Sequence, residues 1–332
     1  MGLKSRGQRE LNSMSSQSSV AAARSEGFFA RWIGALLHRV EMSWHYRLGL
    51  EPRWGISLVE ADWKCKDVAL HASRPVPNPP GRYFADPFVI ERGGRTYCFV
   101  EDYVHARGKA HITVLEYRSG VATELGPCLD EPFHLSFPFV FEYGGQLYLC
   151  PEASASRSVR IYRCTDFPLR WELVRVTLPG FRSLDTMLFE RQGRWWLLTC
   201  RFADTNDPFG SELHVFHADS PLSEQWRPLP GNPVIADRRC CRNGGLIREG
   251  ERVLRVAQYH EPRTYGRRAT VREITRLDEN GYAERVVASL EPDFRPGLVG
   301  THHLTTTGRV TAVDHASWAR PFTQVTPKRS GN

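Results

Sequence analysis

Five stretches of this chain follow one template: an apolar run, a glycine turn and a second apolar run. Ala85–Tyr97 aligns without a gap on Ser136–Tyr148, and Leu184–Trp196 is a third copy. Looser copies run from Asn243 to Leu254 and from Thr301 to Val310. The turn glycines Gly94, Gly145, Gly193, Gly250 and Gly308 stand roughly fifty residues apart, a period typical of repeat architectures. Each copy reads as a β-hairpin, because runs of strand length flank a glycine that tolerates positive φ. A third strand is expected after each hairpin (Lys109–Tyr117, Ser158–Cys164, Ser211–His217, Arg267–Leu277), then an outer strand such as Trp171–Leu178 or Tyr282–Leu290. Four strands repeated five times is the pattern of an all-β, five-bladed β-propeller. No long helical periodicity interrupts it, which counts against a βαβ fold. Trp54–Val59 precedes the first hairpin and is expected to add a strand to the last blade, closing the ring and removing an exposed edge.

The expected layout has four parts. Residues 1–25 form a disordered, basic, Ser-rich leader; residues 26–48 form a short amphipathic helix; residues 50–318 form the propeller; residues 319–332 form a disordered tail. Phe28, Phe29, Trp32, Ile33, Leu36, Leu37 and Val40 recur at helical spacing, too briefly to span a bilayer and without a signal-peptide cleavage site. This helix either packs on the domain or lies at a membrane surface. Net charge is +7, but the arginines are scattered, with no block that would track a phosphate backbone, so nucleic acid is not an expected partner. Eight cysteines show no CxxC pair or zinc-site spacing and favour a reducing compartment. The expected location is the cytoplasm, with peripheral contact at the inner face of the membrane as an alternative.

A hairpin sets the start of its first strand beside the end of its second. Asp86 should therefore neighbour Glu101 and Asp102, Phe137 should neighbour Glu152, and Asp185 should neighbour Cys200 and Arg201. In the looser copies Arg242 and Asn243 should neighbour Gln258, and Thr301–His303 should neighbour Asp314 and His315. Ring closure would bring these polar ends to one mouth. Opposed carboxylates across a cleft suit glycosidic chemistry, one protonated as acid and one ionised as base or nucleophile. Asp86, Glu152 and Asp185 are the catalytic candidates, with Asp86 as base or nucleophile, Glu152 as acid and Asp185 tuning or orienting. Glu101, His134, Arg242, Asn243, Gln258, Tyr265, His302 and Asp314 are the substrate-binding candidates. Ligand binding without catalysis, and a purely structural network, are the competing readings of the same residues. Of the adjacent His302 and His303, at most one is expected to face the channel. No metal and no cofactor is assigned. Asp204–Gly210 lacks a closing Glu and reads as an ordinary turn rather than a calcium loop.

The strings Tyr83–Phe88, Phe99–Glu101, His134–Val140 and Pro151–Ser154, with Arg255–Gln258, Tyr265-Gly266 and Gly300–His303, resemble a known family. It is the N-terminal domain of the plant glucosamine inositolphosphorylceramide transferases and the bacterial proteins that share it. The resemblance covers roughly residues 50 to 318. It implies a five-bladed propeller related to the arabinanase, levansucrase and family 43 glycoside hydrolase group. It does not carry transferase activity, which in the plant enzymes is attributed to a separate C-terminal domain. In the hydrolase relatives a first-blade Asp is the base or nucleophile, and Asp86 occupies the matching place. Their acid is usually a Glu further along the ring; here the third unit carries Asp185 and the second carries Glu152. Bacterial relatives that occur beside formyltransferase-like domains imply glycan or glycolipid assembly, with a glycosyltransferase or formyltransferase partner and a carbohydrate or sugar-phosphate ligand.

Overall fold

The computed structural model describes residues 45–322 except 46, 205, 206, 208, 262 and 263. The expected leader, nearly all of the expected amphipathic helix and most of the expected tail lie outside the described residues. No helix among the described residues is long and apolar enough to cross a membrane. One compact unit takes in Pro52–Trp318; of the described residues, those before Pro52 and Ala319–Pro321 fall to a small second unit.

The large unit is a five-bladed β-propeller built from five antiparallel sheets. The first blade runs Arg82–Arg92, Arg95–Val104, Lys109–Arg118 and Val121–Leu129, from the axis outward. The second blade is Ser136–Tyr143, Gln146–Glu152, Val159–Asp166 and Arg170–Thr177. In the third, Leu184–Arg191, Arg194–Arg201 and Glu212–Ala218 are followed by two outer fragments, Arg227–Pro228 and Ile235–Ala236. The fourth is Asn243–Glu249, Arg252–Glu261, Thr264–Asp278 and Gly281–Leu290. The last joins both ends of the propeller: Leu298–Gly300 and Leu304–Thr306 line the axis, Thr311–Ala319 follows, and Glu51–Val59 and Pro75–Val76 complete it. The inner strand of each blade touches that of the next, and the fifth touches the first, so the ring closes. The expected closing strand is therefore present.

Alternation along each strand buries one apolar set on each face, and the core lies in the seams between blades. Phe88, Phe137, Phe139 and Met187 belong to a cluster joining the first three blades. Val256, Val271, Leu304 and Val313 join the fourth and fifth, and Leu58, Phe84, Val100 and Ala312 join the fifth to the first.

One local device recurs at the inner-strand starts. The ladder skips between Ala85 and Phe88, Ser136 and Phe139, and Leu184 and Met187. At each bulge one residue adopts the left-handed region: Asp86 at φ 48°, Phe137 at 45° and Asp185 at 45°. Such a conformation costs a non-glycine residue about 1–2 kcal/mol. Because Phe137 shares it, the bulge belongs to blade construction, and two blades use it to aim a carboxylate at the axis. In the fourth blade Gly244 and Gly245 replace it. A Cβ on either would overlap a backbone carbonyl of the fifth blade, that of His302 or of Leu304.

Candidate functional site

The bulges and the opposite hairpin ends enclose a pocket of about 300 Å³ at one mouth of the channel. Its carboxyl groups are Asp86, Glu101, Glu152 and Asp185, each from the first three blades. His134, Ser136, Arg242, Tyr265 and His302 complete the polar lining, and Trp54, Tyr83, Phe202 and Phe209 supply aromatic walls.

The acids are not equivalent. Asp86 Oδ2 accepts the Phe137 amide at 3.1 Å. Its Oδ1 receives no N–H or hydroxyl hydrogen bond among the described residues, although His302 Nε2 and His303 Nδ1 stand 3.7 and 3.6 Å away. Burial raises the Asp86 pKa to about 6, the His302 charge pulling against it. Glu152 Oε2 accepts the Asp185 amide at 3.0 Å. Burial and the Asp185 charge lift Glu152 to about 8, despite Arg242 Nη2 at 3.6 Å. Glu101 is raised well above the usual carboxylate range by burial and by the neighbouring Asp86 and Glu152. His134 Nδ1 accepts the Ala110 amide at 3.1 Å, which leaves Nε2 directed at Glu101, 3.5 Å away. Burial lowers the His134 pKa and so favours the neutral ring.

Asp185 is fully engaged. Arg242 donates to it from Nε and, at 3.0 Å, from Nη2, while Gln258 Nε2 donates to Oδ2 at 3.0 Å. Arg242 Nη1 donates to the Phe209 carbonyl at 2.7 Å. The guanidinium therefore has little capacity left for a ligand anion. On the other side His302 Nδ1 pairs with Asp314 Oδ2, and Asp314 Oδ1 accepts the amides of His302 and His303 at 2.8 and 3.0 Å. Burial works against a charged His302, but the carboxylates of Asp314, Asp86 and Asp185 together outweigh it and raise the pKa. The Trp54 ring packs on the His302 ring, centroids 4.2 Å apart.

Three substrate-binding candidates stand behind the pocket wall rather than in it. Asn243 is wholly buried, donating to the carbonyls of Asp185 and Leu198 and accepting from Arg255. Gln258 steadies Asp185, and Asp314 steadies His302. Asn243 and Asp314 spend their hydrogen-bonding edges on backbone, Arg255 and His302, and Gln258 turns its Nε2 to Asp185 and the Asn243 carbonyl while its Oε1 has no partner among the described residues. Asp102, one residue from Glu101, points into the first blade, where it pairs with Arg82 and accepts from Thr113. Arg201 turns outward to Glu212 at 3.4 Å. Of the two adjacent histidines His302 lines the pocket, while His303, wholly buried, packs against Phe88 and Phe137, although a nitrogen of each stands within 4 Å of Asp86 Oδ1. Residues 301–303 lie between two strand fragments, so strand alternation does not govern them. In the Asp204–Gly210 turn, Asp207 accepts the amides of Ala203, Phe209 and Gly210 as a local turn residue does. Arg263, two positions before Tyr265 in the chain, lies outside the described residues.

Trp54, Phe209 and Arg255 are additions. Arg255 is wholly buried, paired with Glu284 at 2.8 Å, and its guanidinium donates to the carbonyls of Cys240 and Cys241. It fixes the chain that carries Arg242 and Asn243. Trp54 could have been found by following the closing strand to the mouth.

Asp86, His302 and Asp314 form the one group of potential metal ligands among the described residues, with ligand atoms within 4.8 Å of one another. Asp314 is already committed, which leaves Asp86 Oδ1 and His302 Nε2, fewer than the three protein ligands usual for a catalytic zinc.

The family described as "Glucosamine inositolphosphorylceramide transferase 1, N-terminal" matches residues 62–294. Glucosamine inositolphosphorylceramide transferase 1 of Oryza sativa subsp. japonica is 32% identical over 209 residues, 62% of this chain and 28% of the relative. The chain thus spans well under half of that relative's length. Among solved structures, Zg3597, a family 117 glycoside hydrolase of Zobellia galactanivorans, aligns with TM-score 0.51 at 12% identity, over 81% of this chain and 91% of that one. The catalytic domain of the Coprinopsis cinerea GH62 α-L-arabinofuranosidase aligns with TM-score 0.53 at 11% identity, over 81% and 97%. These two likenesses are of fold. With the match over most of the propeller, the chain belongs to the family of the glucosamine inositolphosphorylceramide transferase 1 N-terminal domain.

Proposed function

We propose that the mouth binds a glycosyl unit and acts on its glycosidic bond, with Glu152 as general acid and Asp86 as base or nucleophile. The observation that carries this reading is one small pocket on which four carboxyl groups from three blades converge, Glu152 and Asp86 among them in different surroundings. At neutral pH Glu152, near 8, keeps its proton, while Asp86, near 6, is mostly ionised and has an oxygen free of N–H donors. The volume of about 300 Å³ is at the lower end for small-molecule sites and suits one sugar ring. Trp54, Tyr83 and Tyr265 offer apolar faces to such a ring. Asp185, locked by Arg242, orients. The name of the relatives, a glucosamine inositolphosphorylceramide transferase, supports a setting in glycolipid assembly, where we place the domain beside a glycosyltransferase or formyltransferase.

A panel of aryl glycosides tests the chemistry. Turnover should follow a bell in pH with limbs near 6 and 8. Glu152→Gln and Asp86→Asn should each lower kcat by roughly 10²–10⁴-fold while leaving binding near its original strength. Wild-type protein that binds a glycoside without turning it over would instead establish a recognition module. The engagement of Asp185, which stands in the third unit where the hydrolase resemblance looks for an acid, favours that second reading.

A further inference from the structure

Beside the mouth, and sharing the Phe202 ring with it, lies a second cavity of about 640 Å³. Three arginines reach it from separate segments. Arg157 precedes the third strand of the second blade, Arg182 lies in the connection to the third blade, and Arg201 ends that blade's second strand. Two are braced by aromatic faces: the Arg182 guanidinium sits 5.2 Å from the Phe202 ring centre, and that of Arg201 sits 5.6 Å from Phe181. Arg201 has Glu212 at 3.4 Å, whereas Arg157 and Arg182 are exposed and pair with no carboxylate among the described residues. Asp204 and Asp207 also line the cavity, but the Asp207 carboxylate is taken up by three amides and the Ser211 hydroxyl. Asp207 keeps its charge and Glu212 offsets Arg201, so the cations open to a ligand are Arg157 and Arg182. That contrasts with the mouth, where carboxyl groups dominate and Arg242 is tied to Asp185.

A guanidinium presents a planar fork that matches the oxygens of phosphate and carboxylate, and stacking on a ring fixes the fork before a ligand arrives. The mouth offers no comparable cation to an anionic group. We propose that this shelf is an oxyanion subsite adjoining the mouth: the ligand is a glycosyl unit bearing a phosphate or carboxylate. The sugar ring occupies the acid-lined pocket, and the anionic substituent crosses Phe202 to Arg157, Arg182 and Arg201. The link between the two cavities rests on the reading of the mouth as a sugar site; the anion site itself does not.

Calorimetry on the full chain at low salt, with inorganic phosphate and with acetate as separate probes, tests the shelf alone and ranks the two anions. Wild type should bind at least one of them, and Arg157→Ala/Arg182→Ala should weaken that binding about tenfold, with an unchanged melting temperature because both residues are exposed. Arg276→Ala, at an exposed arginine of the fourth blade that lines neither cavity, should leave it unaltered. Equal binding by wild type and double variant, or none by either, overturns the shelf. A second panel sets sugar phosphates and uronic acids against their neutral counterparts. Wild type should prefer the anionic members, and the double variant should lose that preference while keeping its affinity for neutral sugars. Neutral sugars bound with no gain from an added anion would sink this inference and leave the mouth reading standing. Phosphate bound on the shelf with no sugar bound at all would sink the mouth reading and the link between the cavities.

Discussion

Glu152 sits where opposed influences meet. Burial and the Asp185 carboxylate withhold its charge, while Arg242 and the Asp185 amide favour it, and the net result is a pKa raised from 4.5 to about 8. Between those values the native chain keeps a proton that the unfolded chain has released, so this group's contribution to stability falls as pH rises through the window. Glu152→Gln has no charge to bury. Its stability should gain on wild type steadily from pH 5 to pH 8, by on the order of a few kcal/mol at the upper end. Denaturant midpoints of both proteins across that range measure it, and a constant difference would count against the raised pKa. Asp102 runs the other way. Burial would raise it, but His111, Arg82 and Thr113 hold it at about 2, so its stabilisation is present above about 4 and is lost as pH falls toward 2. At this scale the sequence could place residues but not aim them. Hairpin register put both Glu101 and Asp102 beside Asp86, yet one lines the pocket and its neighbour serves the sheet. Asn243, Gln258 and Asp314 were likewise near the mouth by register, but they are wholly buried behind its lining and hold Asp185 and His302 in place.

Among the elements, the hairpins were legible because glycine turns and apolar runs are local signals with a fixed period. Two departures were not. The inner strand of the fifth blade breaks at 301–303, where the Thr301 amide donates to the Gly266 carbonyl of the fourth blade at 2.9 Å; no local pattern announces a bond between blades. The outer edge of the third blade is reduced to two fragments in a stretch carrying Pro221, Pro228, Pro230 and Pro233, which removes ladder donors. The fourth-blade glycines give a sharp contrast. Gly244→Ala would drive a Cβ into the His302 carbonyl and should destabilise by several kcal/mol. Gly250→Ala meets no atom and bears only the strain of its φ of 58°, about 1–2 kcal/mol. Urea unfolding of both variants checks the ranking, and equal losses would mean that the fourth and fifth blades can part at that point without penalty.

The molecule as a whole depends on a strand borrowed from the other end of the chain. Ile56, Leu58 and Val59 are buried in the fifth-blade seams, and burying a side chain of this size contributes about 1.5–3 kcal/mol. Their sum approaches the 5–15 kcal/mol that holds an ordinary domain together. A chain begun at residue 60 should therefore lose cooperative unfolding and the near-ultraviolet circular dichroism of its packed aromatics; a native-like spectrum would show that the ring stands without its closing strand. That closure was readable in advance from the leftover apolar segment before the first hairpin. The hydrogen bonds between blades were not, and one set of them carries an implication for kindred proteins. Asp86 takes the amide of Phe137 across the first seam, and Glu152 takes that of Asp185 across the second. The same oxygens that could handle a substrate's protons also stitch neighbouring blades together. A descendant that abandoned the reaction would still have reason to keep its acids, so finding them in a related sequence speaks for the masonry before it speaks for the chemistry.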